Sequence, residues 1–248
     1  MTDPVPESGS VMTRGDYLAV SYDPRKVPFG PYPGRLARYL HERHFGRPGR
    51  LLDAGCGRGE FLSAFKALGY EVAGVDVSPK APDFAPGFSV AVTALGIGDL
   101  PYPSESFDYA FSKSVVEHLR DPDAFLSGIF REIRPGGRAI IMTPSWVHNA
   151  WGPFYIDHTH VTPFTAPSLA QAMELAGFIN VDCTHFYQLP SVWSFPALKV
   201  LCGLIAMTPL PYRPFRKAPW PDGLNKFIRF SNEVMLLAVG DKPEAGKV

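Results

Sequence analysis

Between residues 50 and 92 the chain reads RLLDAG, GEFLSAFKALG, YEVAGVDVS and FSVAV, short apolar runs alternating with a helical stretch. That alternation constrains the fold more than any other feature. Short strand-like runs separated by helical segments form a parallel sheet covered on both faces. It continues with SFDYAFSKS (106–114), RAIIMTP (138–144), INVDCTHFY (179–187) and SNEVMLLAVG (231–240) as further strands. DPDAFLSGIFREIRPGG lies between two of them, with Asp121 as a helix cap, Pro122 at the first helical position and a stop at Pro135-Gly136-Gly137. TAPSLAQAMELAGF repeats this pattern of a proline start and a glycine stop, and RLARYLHERHF (35–45) reads as an amphipathic helix. The expected class is α/β, a doubly wound sheet. Residues 1–34, rich in Pro, Gly and Tyr, read as an arm or lid, and residues 35–248 as the domain.

Charge narrows the function. Lys plus Arg equals Asp plus Glu at 24 each, so the net charge is zero, which argues against a protein built to coat nucleic acid. The three cysteines, Cys56, Cys183 and Cys202, form neither a zinc pattern nor a disulfide framework. A reducing cytoplasm suits them, and MTDPVPESGS at the start has neither the basic nor the apolar region of a signal peptide.

LLDAGCGRGEFL (51–62) carries the chemistry. Gly55, Gly57 and Gly59 alternate in the loop after the first strand, where a parallel sheet binds ligands. Dinucleotide sites use G-x-G-x-x-G and point a helix N-terminus at pyrophosphate. Here the third glycine comes one residue early, and Asp53 at the strand end would repel a phosphate. A carboxylate there suits a cationic group such as an amino-acid ammonium. Asp76 ends the next strand about twenty residues on, where an acidic residue takes ribose hydroxyls. A ligand with a ribose, a cationic end and no phosphate is S-adenosylmethionine.

The constellation resembles the class I S-adenosylmethionine-dependent methyltransferases. LLDAGCGRG is similar to their first motif, GVDVSP to the second, GDLPYPSESFDYAFSKSVVEHL to the third, and FREIRPGGRAIIMTPS to the segment around the fifth strand. The resemblance covers roughly residues 50–185 and the final strand. It implies a seven-stranded Rossmann-like sheet whose last strand is antiparallel. It also implies that Asp53, Gly55, Cys56 and Gly57 line the methionine part of the cofactor. Asp76 would hold the ribose, Val77 would flank the adenine, Asp99 would reach the adenine amino group beside Leu100, and Ser112 would face the methionine or the methyl.

Methyl transfer from a sulfonium is an in-line displacement, helped by positioning and by a base that deprotonates the acceptor. VVEHL supplies Glu117 and His118, and DHTHVTPFT supplies Asp157, His158 and His160, all at the carboxyl edge of the sheet. His118 or His160 is the candidate base, with Glu117 orienting it and His158 secondary. Ubiquinone-pathway O-methyltransferases and small-RNA 2′-O-methyltransferases look similar here, with E-x-x-E-H, a later His and a divalent metal. Ser114 replaces their first glutamate. Neighbouring helical residues also point about 100° apart. These two points place a metal-free histidine base ahead of a bound divalent metal.

THVTPFTAPSL resembles a subgroup of these enzymes acting on sugars, lipids and secondary metabolites. The expected acceptor is a small molecule, a sugar or a lipid, bearing a hydroxyl or, alternatively, an amine. SVWSFPALKVLCGLIAMTPLP (191–211) is apolar but interrupted by Pro196 and Lys199, too short a run to span a bilayer. It precedes a basic-aromatic stretch with Arg213, Arg216, Lys217, Lys226 and Arg229. Residues 188–230 therefore read as an inserted lid over the acceptor, with a dimer contact and a peripheral membrane contact as further readings. Two other functions stay open. An NAD-dependent oxidoreductase is opposed by Asp53 and the glycine spacing; a non-catalytic cofactor-binding partner subunit is not.

Overall fold

The computed structural model describes residues 17–18, 22, 29–95, 100–150, 153–208 and 222–246. Seven strands form one sheet: β1 (Arg50–Ala54), β2 (Glu71–Asp76), β3 (Ser89–Val92), β4 (Phe107–Lys113), β5 (Ile133–Pro144), β6 (Ile179–Phe186) and β7 (Met235–Asp241), in spatial order β3-β2-β1-β4-β5-β7-β6. Strands β1 to β5 pair in parallel, and β7 runs antiparallel to both neighbours. The order reverses at β1, so the carboxyl ends of β1 and β4 flank the switch point where such sheets bind ligands.

Helices cover both faces. On one side α1 (Tyr32–Leu40), a short π-helical turn (His41–Phe45) and α2 (Glu60–Lys66) bury Leu36, Leu40 and Phe65 against Phe111, Ile140 and Met142. The short helix α3 (Ala81–Phe84) lies on this same side, its end residue Ala85 packing with Leu62 of α2. On the other face α4 (Pro122–Glu132) and, after the short α5 (Trp146–Asn149) that follows β5, α6 (Ala166–Leu175) pack Phe125, Ile129 and Leu169 against Leu52, Ala110 and Ile141. The Asp121 side chain accepts the Ala124 N–H at 2.9 Å, and Thr165 forms a capping box with Ser168, contacts typically worth about 1 kcal/mol each.

Two boundaries differ from the sequence reading. The helix of DPDAFLSGIFREIRPGG ends at Glu132, and β5 begins at Ile133, before the Pro-Gly-Gly stop. Its pairing with β4 shifts register between Phe107 and Tyr109, and the bulge absorbs residues that break regular structure. At the C-terminus, Ser231 and Asn232 belong to α9 (Asp222–Asn232), so β7 starts at Met235. Between β6 and α9 lie α7 (Pro190–Ser194) and α8 (Leu198–Ala206). No helix among the described residues is long and apolar enough to cross a membrane.

Candidate active site

The loop after β1 is built from backbone that needs glycine. Gly55 has φ +87°, and a Cβ there would lie 2.1 Å from Val115 Cγ2. Gly57, at φ +51°, points its N–H at Asp76 Oδ2, 2.9 Å away. With Gly59 also left-handed, the chain turns tightly from β1 into α2.

Asp53 sits at the end of β1, 2% exposed, with Oδ2 unpartnered. Burial, and then the nearby Asp76 carboxylate, push its pKa up to about 8. A buried carboxylate lacking a partner is costly unless a donor or cation meets it. Asp76 ends β2 and is fully engaged. Oδ1 accepts the Ser78 N–H at 2.8 Å, Oδ2 accepts the Gly57 N–H, and the Tyr17 hydroxyl donates to both at 3.2 and 3.1 Å. Burial raises the Asp76 pKa, and these hydrogen bonds pull against it. Val77 is 37% exposed beside it, on the open side of the loop. An orphaned carboxylate, a bare glycine turn and a second carboxylate at the neighbouring strand end fit a ligand with an ammonium and a ribose diol.

Two expected cofactor residues are placed differently. The Cys56 side chain is packed with Leu62 and Ala85 under the loop, and burial raises its thiol pKa. Its N–H goes to Val75 O and its carbonyl accepts from Gly59, so it holds the turn instead of lining the cofactor. The Ser112 hydroxyl donates to Ala54 O at 2.8 Å in a site 1% exposed, which ties β4 to β1. Leu100 is buried in the core. Asp99 lies outside the described residues.

Past β4 the backbone is irregular. Ser114 has φ +59°, and one 3₁₀ turn (Val116–His118) follows. Glu117 and His118 are successive residues of that turn, about 120° apart, so it is the chain folding over them that makes the cluster. Residues 154–160 fold back so that donor atoms of Glu117, His118 and His160 all lie within 4.8 Å of one another. The Glu117 carbonyl accepts the Val161 and Thr162 N–H groups at 2.8 and 3.0 Å, fixing that approach. The Glu117 side chain is fully buried, with Oε2 accepting from Thr143 at 2.8 Å and Oε1 unpartnered. Desolvation is the main cause that lifts its pKa to about 7.

The hydrogen bonds assign the histidine tautomers. His160 Nδ1 lies 2.6 Å from Phe154 O, a group that only accepts, so Nδ1 carries the proton and Nε2 the lone pair. That Nε2 is 4.0 Å from Glu117 Oε1. His118 Nδ1 lies 2.8 Å from Thr159 Oγ1, whose hydroxyl donates to Asp157 Oδ1 at 2.6 Å. The threonine oxygen must therefore accept, so His118 Nδ1 carries the proton. Hydrogen bonds from Thr159 and the two nearby histidines hold the Asp157 pKa down against burial. Burial lowers the His160 pKa, which favours its neutral form. His158 is exposed and outside the cluster. Further along the same edge His148 meets Ser145 Oγ at 3.0 Å and packs edge-on to His185.

Sequence reasoning missed Tyr17, Thr143, Thr159 and the His148–His185 pair. Each acts through a partner distant in sequence, and no motif marks them.

The methyltransferase-domain family profile matches residues 29–182. The chain belongs to that family. It carries an S-adenosylmethionine-dependent methyltransferase domain. A ubiquinone biosynthesis O-methyltransferase from Sinorhizobium medicae is 36% identical over 132 residues, 45% of this chain and 52% of the relative. A malonyl-[acyl-carrier protein] O-methyltransferase from Yersinia pestis is 38% identical over 96 residues, 38% of this chain and 36% of the relative. The matched methyltransferase segment spans about half the length of the first of these relatives and less of the second. Among solved structures, a methyltransferase from Archaeoglobus fulgidus superposes with a TM-score of 0.59 at 22% identity, covering 91% of this chain and 97% of that one. The Burkholderia thailandensis 1,6-didemethyltoxoflavin-N1-methyltransferase gives 0.58 at 23%, covering 93% and 87%. At these identities the likeness concerns the fold.

Proposed function

We propose that this protein transfers the methyl group of S-adenosylmethionine to a hydroxyl oxygen of a small molecule, sugar or lipid, with His118 or His160 as general base. The observation that carries this reading is the gathering of the His118 and His160 imidazoles with the buried Glu117 carboxyl group within 4.8 Å, with His160 Nδ1 committed as a donor to Phe154 O and its Nε2 4.0 Å from Glu117 Oε1. Bound in the glycine turn, the cofactor supplies the electrophilic methyl. The protein does the rest: Asp53 meets the ammonium, Asp76 the ribose, and an imidazole takes the acceptor proton as the oxygen attacks. Such proton transfer contributes typically ~10²–10⁴-fold. Glu117 orients the imidazoles and balances the charge they gain. Both relatives described above are named for oxygen acceptors, which supports oxygen over nitrogen. Release of S-adenosylhomocysteine across a panel of phenols, sugars, lipid alcohols and amines tests the reading. Turnover confined to amines overturns the hydroxyl acceptor.

A second reading has its own support. Two imidazoles and a carboxylate gathered within 4.8 Å are a donor set for a transition metal. The fold-back of residues 154–160 over the 3₁₀ turn supplies the juxtaposition. Glu117, His118 and His160 would hold such an ion, which would supply Lewis acidity toward the acceptor oxygen.

The acceptor side also favours an amphiphilic substrate. Helix α8 buries only Cys202 and exposes Val200, Leu201 and Leu204, with Phe195 and Met207 beside them. From 183 to 221 the sequence has no acidic residue, while Lys199, Arg213, Arg216 and Lys217 are basic. Apolar exposure in an acid-free, basic stretch suits docking on an anionic lipid surface.

A further inference from the structure

Asp76 already accepts from three donors. A carboxylate offers about four lone-pair sites. Here two are taken by the Ser78 and Gly57 N–H groups, and the Tyr17 hydroxyl spans the remaining face, 3.2 Å from Oδ1 and 3.1 Å from Oδ2. A ribose diol bound by this residue needs that same face. We propose that Tyr17 is a built-in stand-in for the ribose, closing the cofactor site from within and yielding its place on Asp76 when the cofactor enters. This rests on the assignment of Asp76 to the ribose.

Three further contacts show that Tyr17 is placed there by design of the fold and is no stray tail. Leu18 is 1% exposed, and its Cδ2 would lie 3.6 Å from a Cβ on Gly57, so it covers the glycine turn directly. Arg58, in the turn between Gly57 and Gly59, donates to Tyr22 O at 3.0 Å. Its guanidinium also lies over the Phe29 ring, 4.5 Å from the centroid. Tyr17, Leu18, Tyr22 and Phe29 thus meet the cofactor loop at Asp76, Gly57 and Arg58. A ligand-free site in which buried Asp76 would otherwise face open space gains a donor, and the cofactor must replace it.

The energetic consequence is a tax on affinity. The apparent dissociation constant rises by the inverse of the fraction of molecules in which the arm has let go of Asp76. Tyr17→Phe keeps the ring and its packing but removes the competing hydroxyl, so it should tighten binding by about ten- to 150-fold, the span of a hydrogen bond to a charged group. S-Adenosylhomocysteine is the probe, by calorimetry for affinity and stopped flow for association. The expected result is tighter binding in Tyr17→Phe, expressed mainly as faster association. Unchanged or weaker binding in Tyr17→Phe overturns the proposal; weaker binding would make Tyr17 a direct cofactor contact. Asp76→Ala separates the two claims. If it binds the probe as well as the parent does, the ribose assignment fails. If it binds poorly while Tyr17→Phe is unchanged, only the role of Tyr17 fails.

Discussion

The Asp53 carboxyl should make cofactor affinity depend on pH. Without ligand its pKa is about 8, because the group is buried and faces Asp76. At pH 7 it therefore carries a proton in most molecules, and meeting an ammonium requires that proton to leave. Below the pKa the ionised fraction rises about tenfold per pH unit, equivalent to ~1.4 kcal/mol. The dissociation constant of S-adenosylhomocysteine should accordingly fall about tenfold between pH 6 and pH 7, where the ligand ammonium stays protonated. Calorimetry in buffers of different ionisation enthalpy should register release of about one proton per ligand at pH 7. Asp53→Asn should bind more weakly and lose most of this slope, with any remainder reporting Asp76. The stability of the ligand-free protein gives an independent check. A folded-state pKa above the unfolded value means the folded state holds the extra proton. Asp53 therefore costs stability increasingly as pH rises from about 4 to about 8. Asp53→Asn should melt above the parent at pH 8, with the gap closing toward pH 4. A parent affinity flat with pH, or a slope equally steep in Asp53→Asn, would refute the reasoning.

Other predictions concern single contacts. Gly55→Ala puts a methyl 2.1 Å from Val115 Cγ2 at φ +87°, and should destabilise the protein by roughly 2–4 kcal/mol in urea unfolding. Thr159→Val breaks the His118–Thr159–Asp157 chain and should lower turnover about tenfold or more with donor affinity unchanged, while Thr159→Ser restores it. Vesicles containing anionic lipid should float the protein at low salt, and Leu204→Glu should abolish this; no flotation of the parent leaves residues 188–230 as a lid.

Much of the sheet was legible because strand and helix periods are local. Five residues from Arg50 to Ala54 declare a buried strand, and a Pro start after Asp121 declares a helix. The glycine turn was legible because its left-handed residues must be glycine and its flanking carboxylates stand at strand ends. What stayed hidden depends on distance. Nothing local marks Ser112 as bonded to Ala54, 58 residues away, or Tyr17 as bonded to Asp76, 59 residues away. Nor does anything local show that the Cys56 side chain packs with Leu62 and Ala85. The irregular backbone after β4 was equally hidden, since Ser114 at φ +59° breaks a stretch that reads as helical.

The central claim is that an imidazole in the Glu117–His118–His160 cluster removes the acceptor proton. Single-turnover methyl transfer in His118→Ala and His160→Ala, with and without chelator, tests it most directly. The account predicts that at least one variant loses about a hundredfold or more in rate while its affinity for S-adenosylhomocysteine stays within a factor of two. Loss of parental activity on chelation, restored by a divalent transition metal, would assign the cluster to the metal reading. Full rate in both variants, with chelator making no difference, would contradict the claim and leave positioning as the whole mechanism.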